Sequence, residues 1–283
     1  MTAVASTLLR DLAVELWEAA RTRRPVPPLS VRHPGLDLAD AYAIQREIRA
    51  LELAGGARLT GLKIGATSEA IQRMFAIDHP DFGYLTDRML LPDGVALDVR
   101  TFIAPKVEGE IAFRIGRDLS GSAVTAQDVL DATTEVCPVL EVLDSRIEAW
   151  KISLVDTVAD NASSAAVVVG AGVPPDTTDL AAARMVLRIG DAGHSTDASA
   201  VAEHTGYGSA VMGHPAESVA CLARILAGFG TGISAGELVL AGSWSDAVDL
   251  VPGQAVHASF GVLGSVSMTT IDREVSAGGV ATG

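Results

Sequence analysis

Aromatic side chains are scarce, at 4% of the chain, although apolar residues make up 48%. The core of these 283 residues therefore has to be filled by Val, Leu, Ile and Ala, and the length fits one large domain or a core with a smaller appended segment. Basic residues are also in short supply, with 21 Lys and Arg against 35 Asp and Glu and a net charge of -14. Binding to phosphate backbones runs through Lys and Arg, so this balance excludes a nucleic-acid partner and leaves no polybasic patch for an anionic membrane. An anionic small molecule still fits, provided a local positive charge or a metal receives it. Only two cysteines occur, Cys137 and Cys221, both in apolar stretches that read as buried reduced thiols. Without a CxxC or Cys/His ligand spacing, a structural zinc site is not expected. No apolar run reaches the roughly 18 residues of a membrane span. The opening stretch MTAVASTLLRDLAVELWEAARTRR spreads its charges as an amphipathic helix does, not as a signal peptide does, so the expected location is cytoplasmic. The Gly-x-Ser-x-Gly elbow, the P-loop and G-x-G-x-x-G are all missing, which removes support for serine-hydrolase, nucleotide-phosphate and dinucleotide chemistry.

Helical spacing of Leu8, Leu12, Leu16 and Ala19/Ala20 predicts a helix over 5–23, ended by the proline-rich segment 24–35, which reads as an extended linker. Ala41, Ile44, Ile48 and Leu51 predict a second helix over 38–53. From residue 58 short apolar runs alternate with Gly, Pro and Asp. LTGLKIGA, PKVEGEIAFRIG and CPVLEVLD read as strands. Thr67 or Ser68 is placed to cap a short helix in TSEAIQRMF, Thr125 a helix near 126–133, and His214 and Pro215 begin another helix near 214–229. The segment 237–271 is strand-rich, with a turn at VPGQ. The expectation is an α+β fold with a mostly β core: a helical section over 1–57, a β-rich catalytic domain over 58–273 and a disordered tail over 274–283.

The chemistry concentrates in KVEGEIAF. Side chains two apart on a strand share a face, so Glu108 and Glu110 point together while Val107, Ile111 and Phe113 enter the core. Two such carboxylates are either a solvated strand face or a pair with a cation between them. Glu141, set in PVLEVL, is apolar-flanked; an ionised carboxylate there needs a buried ion pair or a hard divalent cation. Lys63, inside Leu62-Lys63-Ile64, reads either as an ion-pair partner or as a proton shuttle or acceptor of substrate charge. Asp81, before Phe82-Gly83, is a turn residue or a general base. The polar run from Asp156 to Ser164 can present donors to a carboxylate or cap a helix. The six histidines share no ligand spacing.

GLKIGAT, HPDFGYL, APKVEGEIAF, LEVLDSRIEAWK, VDTVADNASS and GHPAESVACLA, in that order, resemble the 2-keto-4-pentenoate hydratases of the fumarylacetoacetate-hydrolase-like superfamily, over about residues 5–271. The resemblance implies a mixed β-roll core with a helical N-terminal section, and a homo-oligomer. It implies that Glu108, Glu110 and Glu141 hold Mg²⁺ or Mn²⁺, that Lys63 and Asp81 are catalytic, and that Ser163, with Lys63, contacts the substrate carboxylate. The implied reaction hydrates 2-hydroxypenta-2,4-dienoate, or a substituted homologue, to 4-hydroxy-2-oxopentanoate in the breakdown of aromatic rings, where a pathway aldolase or decarboxylase is a candidate partner. Two rivals follow. A sister enzyme, 4-oxalocrotonate decarboxylase, shares the metal site, and a non-catalytic scaffold would have no reason to keep Glu141 and Lys63.

Overall fold

Asp37 opens the helix Leu38–Ala54 with a reciprocal cap, its carboxylate accepting from the Asp40 amide while the Asp40 carboxylate accepts from the Asp37 amide. Across from it runs the helix Ala3–Thr22. Leu9, Leu12, Ala13 and Leu16 of the one and Ala41, Ile44 and Ile48 of the other form an apolar cluster. Ile147, Val158 and Ala159 join this cluster, so the helical section is seated on the β-rich part of the chain. The computed structural model describes residues 3–67, 80–192 and 201–272. The helix expected in TSEAIQRMF beyond Thr67 and the tail 274–283 lie outside the described residues. The proline-rich linker is not wholly extended: Leu29–Arg32 makes a helical turn after Pro28, with Leu29 buried. The proline φ that ends a helix also suits the start of one.

Among the described residues thirteen strands follow: β1 (Leu59–Gly65), β2 (Asp81–Thr86), β3 (Leu90–Pro92), β4 (Val95–Asp98), β5 (Lys106–Ile115), β6 (Thr133–Leu143), β7 (Ser164–Val169), β8 (Arg184–Asp191), β9 (Ala202–Tyr207), β10 (Leu238–Leu240), β11 (Val248–Asp249), β12 (Gln254–Ser259) and β13 (Ser265–Ile271). One mixed sheet has the order β2-β1-β10-β5-β6-β7-β3, with β11 also against β5; the second has the order β4-β13-β12-β8-β9. The architecture is α+β. Among the described residues no helix is long and apolar enough to cross a membrane.

The two sheets share the main core. Val107, Ile111 and Phe113 of β5 meet Val256 and Ala258 of β12, Val266 and Met268 of β13, and the helix Pro215–Gly228 through Val219, Leu222 and Ala223. Strand alternation then forces Glu108, Glu110 and Ala112 onto the opposite face of β5. That face is apolar at one end, where Ala112, Cys137, Val139, Leu238 and Leu240 cluster, and polar at the other. Thr125 caps the helix Ala126–Ala132 and His214 caps Pro215–Gly228, its Nδ1 accepting from Ala216 N at 3.1 Å.

Phe113 is fully buried between the sheets, on the face opposite the glutamates. Phe113→Ala is expected to cost about 3–5 kcal/mol in urea unfolding, and a loss below about 1 kcal/mol would contradict the two-sheet core.

Candidate active site

Pairing of β5 with β6 sets Glu108 directly opposite Glu141, and Glu110 follows two residues on along the same face. One ligand atom from each carboxylate lies within 4.8 Å of the other two. Glu141 is fully buried and neither of its carboxylate oxygens accepts a hydrogen bond. Such a group is costly unless a cation completes it. Glu110 is buried as well, and its Oε2 accepts from the Gly242 amide at 2.9 Å. Gly242 has φ +109°, and a β-carbon there would run into the Thr67 side chain, so only glycine presents this amide. Burial, and then the neighbouring charge of Glu141, push the Glu108 carboxyl up to about 8 and raise Glu110 well above the carboxylate range. Orphaned buried oxygens and an all-carboxylate donor set fit a hard divalent cation such as Mg²⁺ or Mn²⁺.

Strand β1 sends Leu62 and Ile64 toward the main core and Lys63 onto the glutamate face. Burial opposes the lysine charge, but Glu141, Asp81, Glu110 and Glu108 outweigh it and hold its pKa above that of an ordinary lysine. Lys63 Nζ lies 3.5 Å from Glu141 Oε2 and donates to Ala162 O at 3.1 Å. Asp81 is not a turn residue: it is the first residue of β2, opposite Gly65 and buried. A β-carbon at Gly65 would collide with the Asp81 carboxylate and sit 3.4 Å from Lys63 Nζ, so the missing side chain is what lets the two groups converge.

After the helix Leu154–Ala159 the chain makes a turn in which Asn161, Ala162 and Ser163 have φ of 54°, 50° and 57°. Three successive non-glycine residues in the left-handed region are strained, and such strain collects at functional sites. The turn lines a cavity of about 400 Å³ with Ser163 and Ala162, and that cavity is shared by Lys63, Asp81, Glu108 and Glu110. Ser163 is buried, and its Oγ lies 3.4 Å from Thr157 Oγ1. The polar run from Asp156 to Ser164 divides between a helix cap and the cavity lining. Asp156 caps the helix through Ser153, and Ser163 faces the cavity.

All six residues singled out in the sequence as site residues come together here, Glu141 lying behind Glu108 and Lys63. The structure adds Trp150, Ile152 and Leu154 as an apolar wall, Thr157 beside Ser163, Gly242 beneath Glu110, and Asp246. Thr157 lay within a stretch already marked as polar. Asp246 and Gly242 carry no local signal, because loop geometry alone brings Asp246 to the cavity and the Gly242 amide to Glu110. His33, His204, His214 and His257 are absent from the cavity lining; His79 and His194 lie outside the described residues. Both cysteines are free thiols, Cys137 buried and Cys221 half-buried.

The raised Glu108 carboxyl fixes a pH dependence. Against an ordinary value of 4.5, a folded value of about 8 means the folded chain holds the extra proton between those limits. The stability associated with it is present below 4.5 and lost as pH rises through about 8. Metal-free protein is therefore expected to melt at lower temperature at about pH 8 than at about pH 5. Because ligands must be deprotonated, Mg²⁺ or Mn²⁺ should raise the melting temperature more at the higher pH. A larger metal-induced rise at the lower pH would count against the three-glutamate site.

Residues 64–271 match the family model described as fumarylacetoacetate (FAA) hydrolase C-terminal. A 2-hydroxyhexa-2,4-dienoate hydratase of Comamonas testosteroni is 42% identical over 256 residues, covering 89% of this chain and 94% of that protein. A 2-hydroxypent-2,4-dienoate hydratase of Pseudomonas putida is 42% identical over 226 residues, covering 79% and 98%. Among solved structures, 4-oxalocrotonate decarboxylase from Pseudomonas putida G7, complexed with magnesium and adipate, superposes with a TM-score of 0.88 at 34% identity, covering 96% of this chain and 99% of that one. The sheet architecture and the ordered motifs thus agree with these matches, and the chain belongs to the fumarylacetoacetate hydrolase family.

Proposed function

We propose that the chain is a metal-dependent hydratase that adds water to a 2-hydroxy-2,4-dienoate, giving a 4-hydroxy-2-oxo acid. The observation that carries this reading is the buried Glu141, whose oxygens accept no hydrogen bond, set opposite Glu108, which lines a cavity together with Glu110, Lys63 and Asp81. Glu108, Glu110 and Glu141 would hold Mg²⁺ or Mn²⁺, which supplies Lewis acidity to the carboxylate and 2-oxo oxygens of the substrate.

The chain's own residues account for the rest. The Ser163 hydroxyl and the Lys63 ammonium donate to the anionic end of the substrate, offsetting charge that the surrounding carboxylates would otherwise repel. The reaction requires the 2-hydroxyl proton to leave and C5 to gain one. Water then adds at C4 of the conjugated ketone, and C3 takes up a proton. Asp81 is on the Lys63 face and takes the proton from the attacking water; Lys63 stabilises the developing enolate. Trp150, Ile152 and Leu154 form an apolar wall along the chain of the diene.

The same wall separates this reading from the decarboxylase reading. 4-Oxalocrotonate carries a second carboxylate at its far end. Among the described residues lining the cavity, Lys63 is the one cation and Asp246 adds a further negative charge, a poor setting for a second anion.

Purified protein with Mg²⁺ or Mn²⁺ is expected to bleach the absorbance of freshly generated 2-hydroxypenta-2,4-dienoate without releasing CO₂. Metal-dependent CO₂ release from 4-oxalocrotonate, at a rate above that of dienoate hydration, would overturn the assignment. Losing an outer partner of a metal ligand lowers affinity or activity about 10–100-fold, so Glu110→Gln should reduce turnover by at least that much. Undiminished turnover in Lys63→Ala would remove Lys63 from the chemistry.

A further inference from the structure

An ammonium next to a carboxylate normally closes to about 2.7–2.9 Å. Lys63 Nζ stops at 3.5 Å from Glu141 Oε2 and lies closer, at 3.1 Å, to the neutral carbonyl of Ala162. A weaker acceptor has the nearer position, so the backbone that carries it must be held firmly. Ala162 is the middle residue of the left-handed turn, which does not persist in that conformation on its own account.

The turn is fixed from two sides. On the side of β2, the Asn161 amide pairs with one backbone residue, Nδ2 donating to Tyr84 O at 3.0 Å and Oδ1 accepting from Tyr84 N at 2.9 Å. Behind it lies Arg146, whose buried guanidinium makes four hydrogen bonds. Its Nε donates to the Asp160 carboxylate, its Nη2 to Asp160 O, and its Nη1 to Asp144 O at 2.7 Å and Ser164 O at 3.4 Å. The backbone amide of Arg146 also donates to Asp160 Oδ2, at 2.9 Å. Arg146 thus grips the turn immediately before Asn161 and immediately after Ser163. It faces a separate cavity of about 130 Å³, lined also by Asp160, Asn161 and Ser164, whereas Ala162 and Ser163 line the larger one. The turn is the partition, and Arg146 does not reach the substrate side.

We propose that Arg146 is a positioning residue which, by clamping this turn from behind, sets the Ala162 carbonyl that draws the Lys63 ammonium off Glu141 and leaves that carboxylate to the metal ion. The inference rests on the three glutamates being the metal ligands. A lysine side chain cannot reproduce the planar fork of Arg146, so Arg146→Lys releases the turn. Lys63 then settles on Glu141 and competes with the ion.

The test is Mn²⁺ titration, by calorimetry and by electron paramagnetic resonance, of four folded proteins: the parent, Arg146→Lys, Lys63→Met and the double variant. Arg146→Lys is expected to raise the Mn²⁺ dissociation constant about three- to tenfold, the scale of one repositioned charge at protein dielectric. Lys63→Met removes the competitor and should bind Mn²⁺ at least as tightly as the parent. In the Lys63→Met background the Arg146→Lys change should have less than about a twofold effect, since its action runs through Lys63. Equal weakening in both backgrounds would make Arg146 a general structural support and overturn the proposal, as would an unchanged dissociation constant in Arg146→Lys. If Arg146→Lys fails to fold, Asn161→Asp, which cannot donate to Tyr84 O, carries the same expectations. Failure of the parent and of Lys63→Met alike to bind Mn²⁺ would instead overturn the three-glutamate site itself, and the positioning role with it.

Discussion

Glu108 and Glu141 sit directly across from each other on paired strands in the middle of a sheet, Glu141 fully buried and Glu108 half-buried. Like charges in that relation repel, and burial multiplies the effect by removing the solvent that would screen them. Much of what surrounds the pair can be understood as an answer to that repulsion. β1 contributes a lysine at the one register position where its neighbours on the strand face the core. Gly242 contributes a backbone amide to the third carboxylate. The proton uptake that burial forces on Glu108 and Glu110 is the response of the metal-free chain; a divalent ion is the response that leaves the carboxylates charged and useful.

Strand periodicity and burial chemistry made the centre of the site legible before any coordinates. Glu108 and Glu110 share a face because they are two apart, and Glu141 stood out because no apolar strand carries a carboxylate without cause. Lys63 was anomalous on the same ground. The structure shows it as an ion-pair partner of Glu141 that also lines the cavity. The neighbours of Asp81 pointed the other way, since Asp beside Pro and Gly more commonly marks a turn. What decided it was the β1–β2 register, a property of residues on both strands. The roles of Arg146, Asp160, Asn161 and Gly242 were hidden for the same reason. Their roles depend on which loop meets which strand, and nothing in DSR or DNASS taken alone indicates that a guanidinium will clasp the backbone on both sides of a turn.

The site also shows how one scaffold serves related reactions. A cation, a lysine and an acid on one sheet face can stabilise an enolate whether it then takes up water or has just lost CO₂. Trp150, Ile152, Leu154 and Asp246 also line the cavity. Those residues come from loops and short helical turns, which can change without disturbing the strand register that holds the glutamates.

Strand β1 runs parallel to β10, with Lys63 opposite Leu240, while Glu108, Glu141 and the turn Asn161–Ser163 come from the chain between them. A chain emerging in order would have produced all three glutamates and Lys63 long before the strand that joins them is available. Until residues 238–240 arrive, β1 and β5 have no shared neighbour, and the lysine has no fixed address among the acids. The face carrying the glutamates and Lys63 is therefore among the last features to be completed, so a protein released without its final third would carry all four side chains and still lack the strand that joins them.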